Sequence, residues 1–188
     1  MRVSCFGSSK DVPSELYEEM KLVGKLLSLR GIPIATGAFG GVGMQAAAEG
    51  AAEAGAGTSI TGYSYGSMPP NPYLTQVIDC QSLAASIPFD SAYCVRLAGL
   101  LSSDAFIVAG GGGPGTFLEL VGAINFNQKF WNPLKRIAIL ETRERGGWDH
   151  SLIDALMAWG ILTEQVSGSI RVVSHAEEAV RWVCEGKY

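Results

Sequence analysis

The sequence is short of charge, of clustered cysteine and of uninterrupted apolar runs, and each shortage closes off a class of protein. Charged residues make up 17% of the 188 positions while 47% are hydrophobic, a balance that excludes a disordered chain and demands a large buried core. The 14 bases against 18 acids leave a net charge of −4, and no basic run is present to neutralise a phosphate backbone or an anionic bilayer. Neither nucleic acid nor membrane is therefore expected as a partner. The most apolar stretch, Leu97 to Ile124, is broken by Asp104, Glu119 and a block of glycines, so it cannot be a membrane span of ~20 apolar residues. Arg2 to Phe6 reads directly as a strand with no basic-then-apolar leader before it, and the expected location is cytoplasmic. Cys5, Cys80, Cys94 and Cys184 lie far apart without a C-x-x-C, which fits reduced, mostly buried thiols and neither a disulfide frame nor a metal site. No metal and no cofactor is expected.

Glycine is what the chain has in excess. There are 24, and nine of them crowd into two short segments: Gly37, Gly40, Gly41 and Gly43, then Gly110, Gly111, Gly112, Gly113 and Gly115. A flexible linker would spread them; clusters mark two places that need bare backbone.

The pattern between the clusters alternates strand and helix. After the first strand, Pro13 suits the first turn of a helix, with Ser9 or Asp11 as its cap. Leu16, Met20, Val23 and Leu27 then lay down one apolar stripe, and Gly31 supplies a left-handed stop. Ile32 to Thr36 reads as strand, Gln45 to Ala56 as an alanine-rich helix able to pack closely on strands, and Thr58 to Gly62 as strand. Residues 63–73 form a loop dense in Gly, Pro and aromatics. Ala92 to Leu101 has helical spacing, and Ala105 to Ala109 is a continuous apolar run of the kind buried on both faces of a sheet. Thr116 to Gln128 reads as helix, Arg136 to Leu140 as strand, Ser151 to Trp159 as helix and Ile170 to Val173 as strand. Ser174-His-Ala-Glu177 is a capping-box pattern that opens a last helix. The expectation is a single α/β domain over residues 1–188, a Rossmann-like doubly wound parallel sheet with helices on both faces. Such sheets bind ligands at the carboxyl ends of their strands, where both glycine clusters fall.

A glycine-rich turn from strand into helix aims several backbone amides at one anion, and the helix start adds roughly half a positive charge. Gly110 to Thr116 meets this requirement, with the Thr116 hydroxyl as a further donor, and Gly40 to Gly43 offers a second cradle. Neither is a P-loop, and residue 118, where a dinucleotide motif needs its third glycine, is leucine. Glu119 sits three residues into the helix after the second turn; it either does chemistry over the anion or only steadies the helix start and pairs with a base. Arg96, alone in an apolar small-residue helix, either snorkels to the surface or partners a carboxylate or phosphate. His150 and His175 lack any ligand or triad context, and Glu141 to Arg145 reads as a solvated loop. Leu152, Ile153, Leu156 and Trp159 suit a core or a dimer face equally.

Three of these segments carry a family resemblance. Val3-Ser-Cys-Phe-Gly-Ser-Ser9 resembles the opening strand and turn of the LOG (Lonely Guy) proteins, long labelled possible lysine decarboxylases. Thr36-Gly-Ala-Phe-Gly-Gly-Val-Gly-Met44 is similar to their first glycine loop. Gly112-Gly-Pro-Gly-Thr-Phe-Leu-Glu119 matches their G-G-x-G-T-x-x-E motif. The resemblance implies a Rossmann-like homodimer or larger homo-oligomer that binds a nucleoside 5′-monophosphate and hydrolyses its N-glycosidic bond to free base and ribose 5-phosphate. By the same resemblance Glu119 is the catalytic glutamate and Arg96 the active-site arginine. Gly7, Ser8, Gly40, Gly41, Gly43, Gly112, Gly113, Gly115 and Thr116 are the expected phosphate and nucleotide contacts; the aromatic loop, independently of the resemblance, offers Tyr63, Tyr65, Met68 and Tyr73 as the expected surroundings of a base. Where cytokinin-activating members carry proline before the paired glycines this chain has Gly111, and Leu97 follows Arg96 in place of lysine. Those changes resemble a branch that includes molybdenum-cofactor carrier proteins, so the alternative expectation is a non-catalytic carrier or binder of a phosphate-bearing ligand.

Overall fold

The structure, a computed structural model, describes residues 1–8, 14–85, 91–142, 148 and 150–186. The proposed caps Ser9 and Asp11, and Pro13, lie outside the described residues. Among those described, seven parallel strands form one sheet in the order β4-β3-β2-β1-β5-β6-β7, with eight helices around it. The strands are β1 (Val3–Phe6), β2 (Ile34–Thr36), β3 (Ile60–Ser64), β4 (Gln76–Asp79), β5 (Ala105–Ala109), β6 (Ile137–Leu140) and β7 (Ile170–Val173). The helices are α1 (Ser14–Leu29), α2 (Gln45–Glu53), α3 (Cys80–Ala84), α4 (Ala92–Leu101), α5 (Pro114–Lys129), α6 (His150–Ala158), α7 (Glu164–Ser167) and α8 (Ala176–Glu185). Strand order runs outward in both directions from β1, which pairs Val3 with Ile34 of β2 on one side and with Ala105 of β5 on the other. That reversal opens a crevice beyond the carboxyl ends of β1 and β5.

The central strands β1, β5 and β6 are buried along their whole length and, Ser4 excepted, apolar, because both their faces are covered; the Ser4 hydroxyl donates to the Leu100 carbonyl at 2.7 Å. Alternate residues divide between two cores: Cys5, Ile107 and Leu140 face α1, α2 and α8, while Phe6, Phe106 and Ile139 face α4, α5, α6 and α7. The α1 stripe Leu16, Met20, Val23 and Leu27 is buried as its spacing predicts, and Gly31 ends the helix at φ +68°. The small residues of α2 serve a different neighbour from the one expected. A Cβ on Gly24 would strike the carbonyl of Ala47, and one on Gly50 would strike that of Lys21, so α1 and α2 cross with backbones in contact.

Four sequence expectations need correction. Strand β4 and the short helices α3 and α7 went unread, since β4 is an exposed edge strand with no apolar alternation. Helix α8 is not capped by Ser174: its N-cap is His175, and the Ala176 amide donates instead to Oε2 of Glu19 on α1, at 2.6 Å. Of the four thiols, Cys5 and Cys80 are buried, but Cys184 is only half-buried and Cys94 is exposed. In the segment read as a solvated loop, Thr142 is buried, while residues 143–145 lie outside the described residues. Leu156 is core, whereas Trp159 stands 70% exposed.

Candidate functional site

The turn after β5 is built so that backbone faces the crevice. Gly110 closes the strand by donating to the Leu140 carbonyl at 2.8 Å, and Gly111 swings to φ +65°, a conformation closed to proline. Gly112 lies under the Thr116 side chain, whose atoms would meet any Cβ placed there. Gly113 is the N-cap in extended conformation, and Pro114 takes the first helical position, where a missing amide is tolerated. The first helical hydrogen bond, Phe117 N–H to Gly113 C=O at 3.0 Å, leaves the Gly115 and Thr116 amides at the open start of a 16-residue helix.

One helical turn further on, Glu119 turns inward. It is only 3% exposed, and its Oε1 accepts from Nη1 of Arg96 at 2.8 Å; Arg96 itself is 6% exposed. Arg96 comes from α4 and is held on every side. Its Nε donates to the Tyr63 carbonyl at 3.2 Å, Nη2 lies 3.7 Å from the Met44 sulfur, and the guanidinium sits over the Tyr65 and Tyr93 rings at 5.6 and 5.8 Å. Gly37 is glycine because a Cβ there would occupy the space of Arg96 Nη2. The neighbouring Ala38 adopts φ +68°, unusual for a side-chain-bearing residue, and is held there by Thr36 Oγ1 and by Asn71, whose main-chain and side-chain amides both donate to the Ala38 carbonyl. Burial pushes the Glu119 carboxyl above its usual range, with the charge and hydrogen bond of Arg96 opposing it.

These groups share one cleft of about 210 Å³, lined on one side by Gly7, Ser8, Gly113, Gly115, Thr116 and Glu119, and on the other by Phe39, Met44, Tyr65, Met68, Tyr93 and Arg96. The sequence-predicted Gly40, Gly41 and Gly43 do not line it. The Gly41 carbonyl accepts from the Gln45 and Ala46 amides at the start of α2, and Gly43, at φ +81°, packs against the Phe6 carbonyl and Gly7. The first glycine cluster thus lets two loops touch backbone to backbone. Of the four residues expected around a base, Tyr65 and Met68 reach the cleft. Tyr63 instead packs on Gly99, its hydroxyl accepting from Arg2, and Tyr73 lies against the core on the α1 side. Phe39, Met44 and Tyr93 were not picked out. Tyr93 was accessible in principle, three residues before Arg96 on the same helical face. Among the described residues no group of three or more His, Cys, Asp or Glu could hold a metal, no helix is long and apolar enough to cross a membrane, and His150 and His175 are exposed.

Residues 1–135 match the SLOG cluster4 family, LDcluster4. No curated protein matches the chain. Among solved structures, the structural-genomics protein TM1055 is 24% identical over 96% of this chain and 97% of its own, with a TM-score of 0.66. The molybdenum cofactor carrier protein of Chlamydomonas reinhardtii is 20% identical over 96% of this chain and 94% of its own, also at 0.66. DNA processing protein A of Helicobacter pylori, described with a single-stranded DNA binding mode, is 14% identical over 100% of this chain and 82% of its own, at 0.62. These likenesses establish the Rossmann-like fold.

Proposed function

Because the chain belongs to the SLOG cluster4 family, a LOG-like family, we propose that it binds a nucleoside 5′-monophosphate with the phosphate on the start of α5, and hydrolyses the N-glycosidic bond to free base and ribose 5-phosphate. The observation that carries this reading is one cleft holding both an open helix start and a buried Arg96–Glu119 pair at 2.8 Å. The Gly115 and Thr116 amides and the helix dipole favour a phosphate. A volume of about 210 Å³ suits a phosphate and its sugar, with the base extending toward Tyr65, Tyr93 and Met68 at the mouth.

Glycosidic cleavage passes through a cationic, oxocarbenium-like state at the anomeric carbon. Glu119 supplies the carboxylate that steadies this charge and takes a proton from the attacking water, whose oxygen ends on the sugar. The departing base leaves with the bonding pair and takes up the proton that the water gave to Glu119, which returns the carboxylate to its starting state. Arg96 fixes the orientation of Glu119, and the anchored phosphate converts remote binding energy into alignment of the reacting bond.

The second reading is a carrier of a phosphate-bearing ligand, such as the molybdenum cofactor for which a structural neighbour is named. It is favoured by the enclosure of Glu119, already engaged by Arg96 and almost without exposed surface. Incubation with AMP and a panel of nucleoside monophosphates, followed by chromatography, separates the two. Hydrolysis predicts base release that falls about 100-fold or more in Glu119→Gln while nucleotide binding persists. A carrier predicts saturable binding with no release. Release undiminished in Glu119→Gln would remove the catalytic assignment.

The assembly proposed is a dimer or larger homo-oligomer. Helices α4 and α5 carry only Arg96, Glu119 and Lys129 as charges, and their outer surface presents Ala98, Phe117 and Leu118. Sedimentation at micromolar concentration tests it, with monomer only as the contrary result.

A further inference from the structure

A second concavity is larger than the cleft. At the opposite edge of the sheet, where β1, β5 and β6 begin, a cavity of about 550 Å³ lies within the size range of small-molecule sites. Phe130 and Trp131 give it an aromatic wall, and Lys135 and Arg136 bring two adjacent cations to it on a chain whose net charge is −4. Phe130 is 70% exposed beside the opening. The Lys135 ammonium donates to the Ser103 carbonyl at 2.6 Å and stands 3.9 Å over the Trp131 ring. The Arg136 guanidinium donates to the Val183 carbonyl at 3.4 Å, at the end of α8. Neither cation has a carboxylate within 4.0 Å among the described residues. The one acid lining the cavity, Asp104, is turned to the Arg2 amide at 2.7 Å and to the terminal ammonium at 3.8 Å. A half-buried ammonium with an aromatic face, a carbonyl and no carboxylate in contact is an incomplete set of partners.

We propose that this cavity is a second ligand site, taking a small organic anion that joins a carboxylate, sulfonate or phosphate to a flat aromatic ring. The anionic group sits at Lys135 and Arg136, and the ring lies against Trp131 and Phe130. Burial pushes the Lys135 amine below its usual range, more than Asp104 restores it, and an arriving anion reverses that shift. The site is separate from the nucleotide cleft and does not depend on what that cleft does.

The test is calorimetric titration of the full chain with 1-naphthoate, an aromatic carboxylate, with 1-naphthalenemethanol as the uncharged comparison. One saturable site is expected for naphthoate, with the alcohol about tenfold weaker or more, as loss of one charged hydrogen bond implies. Lys135→Met weakens naphthoate by a similar factor, whereas Lys135→Arg keeps the charge and retains affinity, which separates anion recognition from damage to the fold. Phe130→Ser, at an exposed position, also weakens binding. Saturating ribose 5-phosphate, which offers the α5 site its phosphate but carries no aromatic ring, leaves the titration unchanged. Absence of saturable heat, equal affinity of Lys135→Met and the native chain, or displacement by ribose 5-phosphate would each overturn the proposal.

Discussion

Replacing Gly37 by alanine, one methyl group, should dismantle the candidate site without touching any residue that contacts ligand. The added Cβ would lie 1.9 Å from Nη2 of Arg96 and 2.5 Å from the Met44 sulfur, where ordinary contact begins at 3.4 Å. Relief requires the guanidinium to move by roughly 1.5 Å, because both rows of neighbours, the Tyr63 carbonyl and the Tyr65 and Tyr93 rings, already fix its other edges. A shift of that size carries Nη1 out of hydrogen-bond reach of Glu119, now at 2.8 Å. Breaking a buried pair leaves a carboxylate uncompensated and costs about 3–5 kcal/mol. For a chain of 188 residues the lower figure is a fall in Tm of about 6–12 °C. The sign of the pH dependence follows from the direction of the Glu119 shift. An acid whose pKa is higher folded than unfolded holds more protons in the native state, so stability declines as pH rises above the ordinary value of 4.5. Without Arg96 that shift grows, and the deficit of Gly37→Ala must be larger at pH 8 than at pH 5. Urea unfolding at the two pH values measures it. A variant as stable as the native chain at both, with nucleotide affinity intact, would refute the argument that Gly37 exists to seat Arg96.

Other consequences test the scaffold. Gly50→Val should separate α1 from α2 at their backbone contact and cost about 1–3 kcal/mol, seen as a lower urea midpoint with an unchanged slope. Glu19→Ala removes the acceptor for the Ala176 amide and should cost about 1 kcal/mol, a Tm loss of roughly 2–4 °C by calorimetry. Gly43→Ala, at φ +81° against Gly7, should destabilise the fold, and unaltered thermal unfolding would deny its role in joining the two loops.

How much of this was legible in the sequence depended on whether a residue's environment was local. Ala105–Ala109 and Ile170–Val173 were read with the bounds observed: the first is an apolar run buried on both faces, the second a β-branched run around Arg171 at the edge of the sheet. The Gly112 to Glu119 turn was legible because strand, glycines and helix start are contiguous. Strand β4 was not, since an exposed edge strand has no period to read. The loop at Gly40 to Gly43 is ambiguous for a different reason: backbone packed on backbone and backbone aimed at an anion require the same residue. Glu19 as the cap of α8 spans 157 positions, and nothing near Ala176 announces it. Arg96 was legible as the partner of a carboxylate or a phosphate, and the packing of α4 on α5 brings it to Glu119 at 2.8 Å.

The open start of α5 is the proposed seat of a phosphate, and amide NMR of the ¹⁵N-labelled chain during titration with AMP tests this most directly. The Gly115 and Thr116 amides should show the largest, saturable shifts, and adenosine, which lacks the phosphate, should leave them in place. Unmoved Gly115 and Thr116 signals, or shifts confined to Gly40–Gly43 or to the surroundings of Lys135, would contradict it.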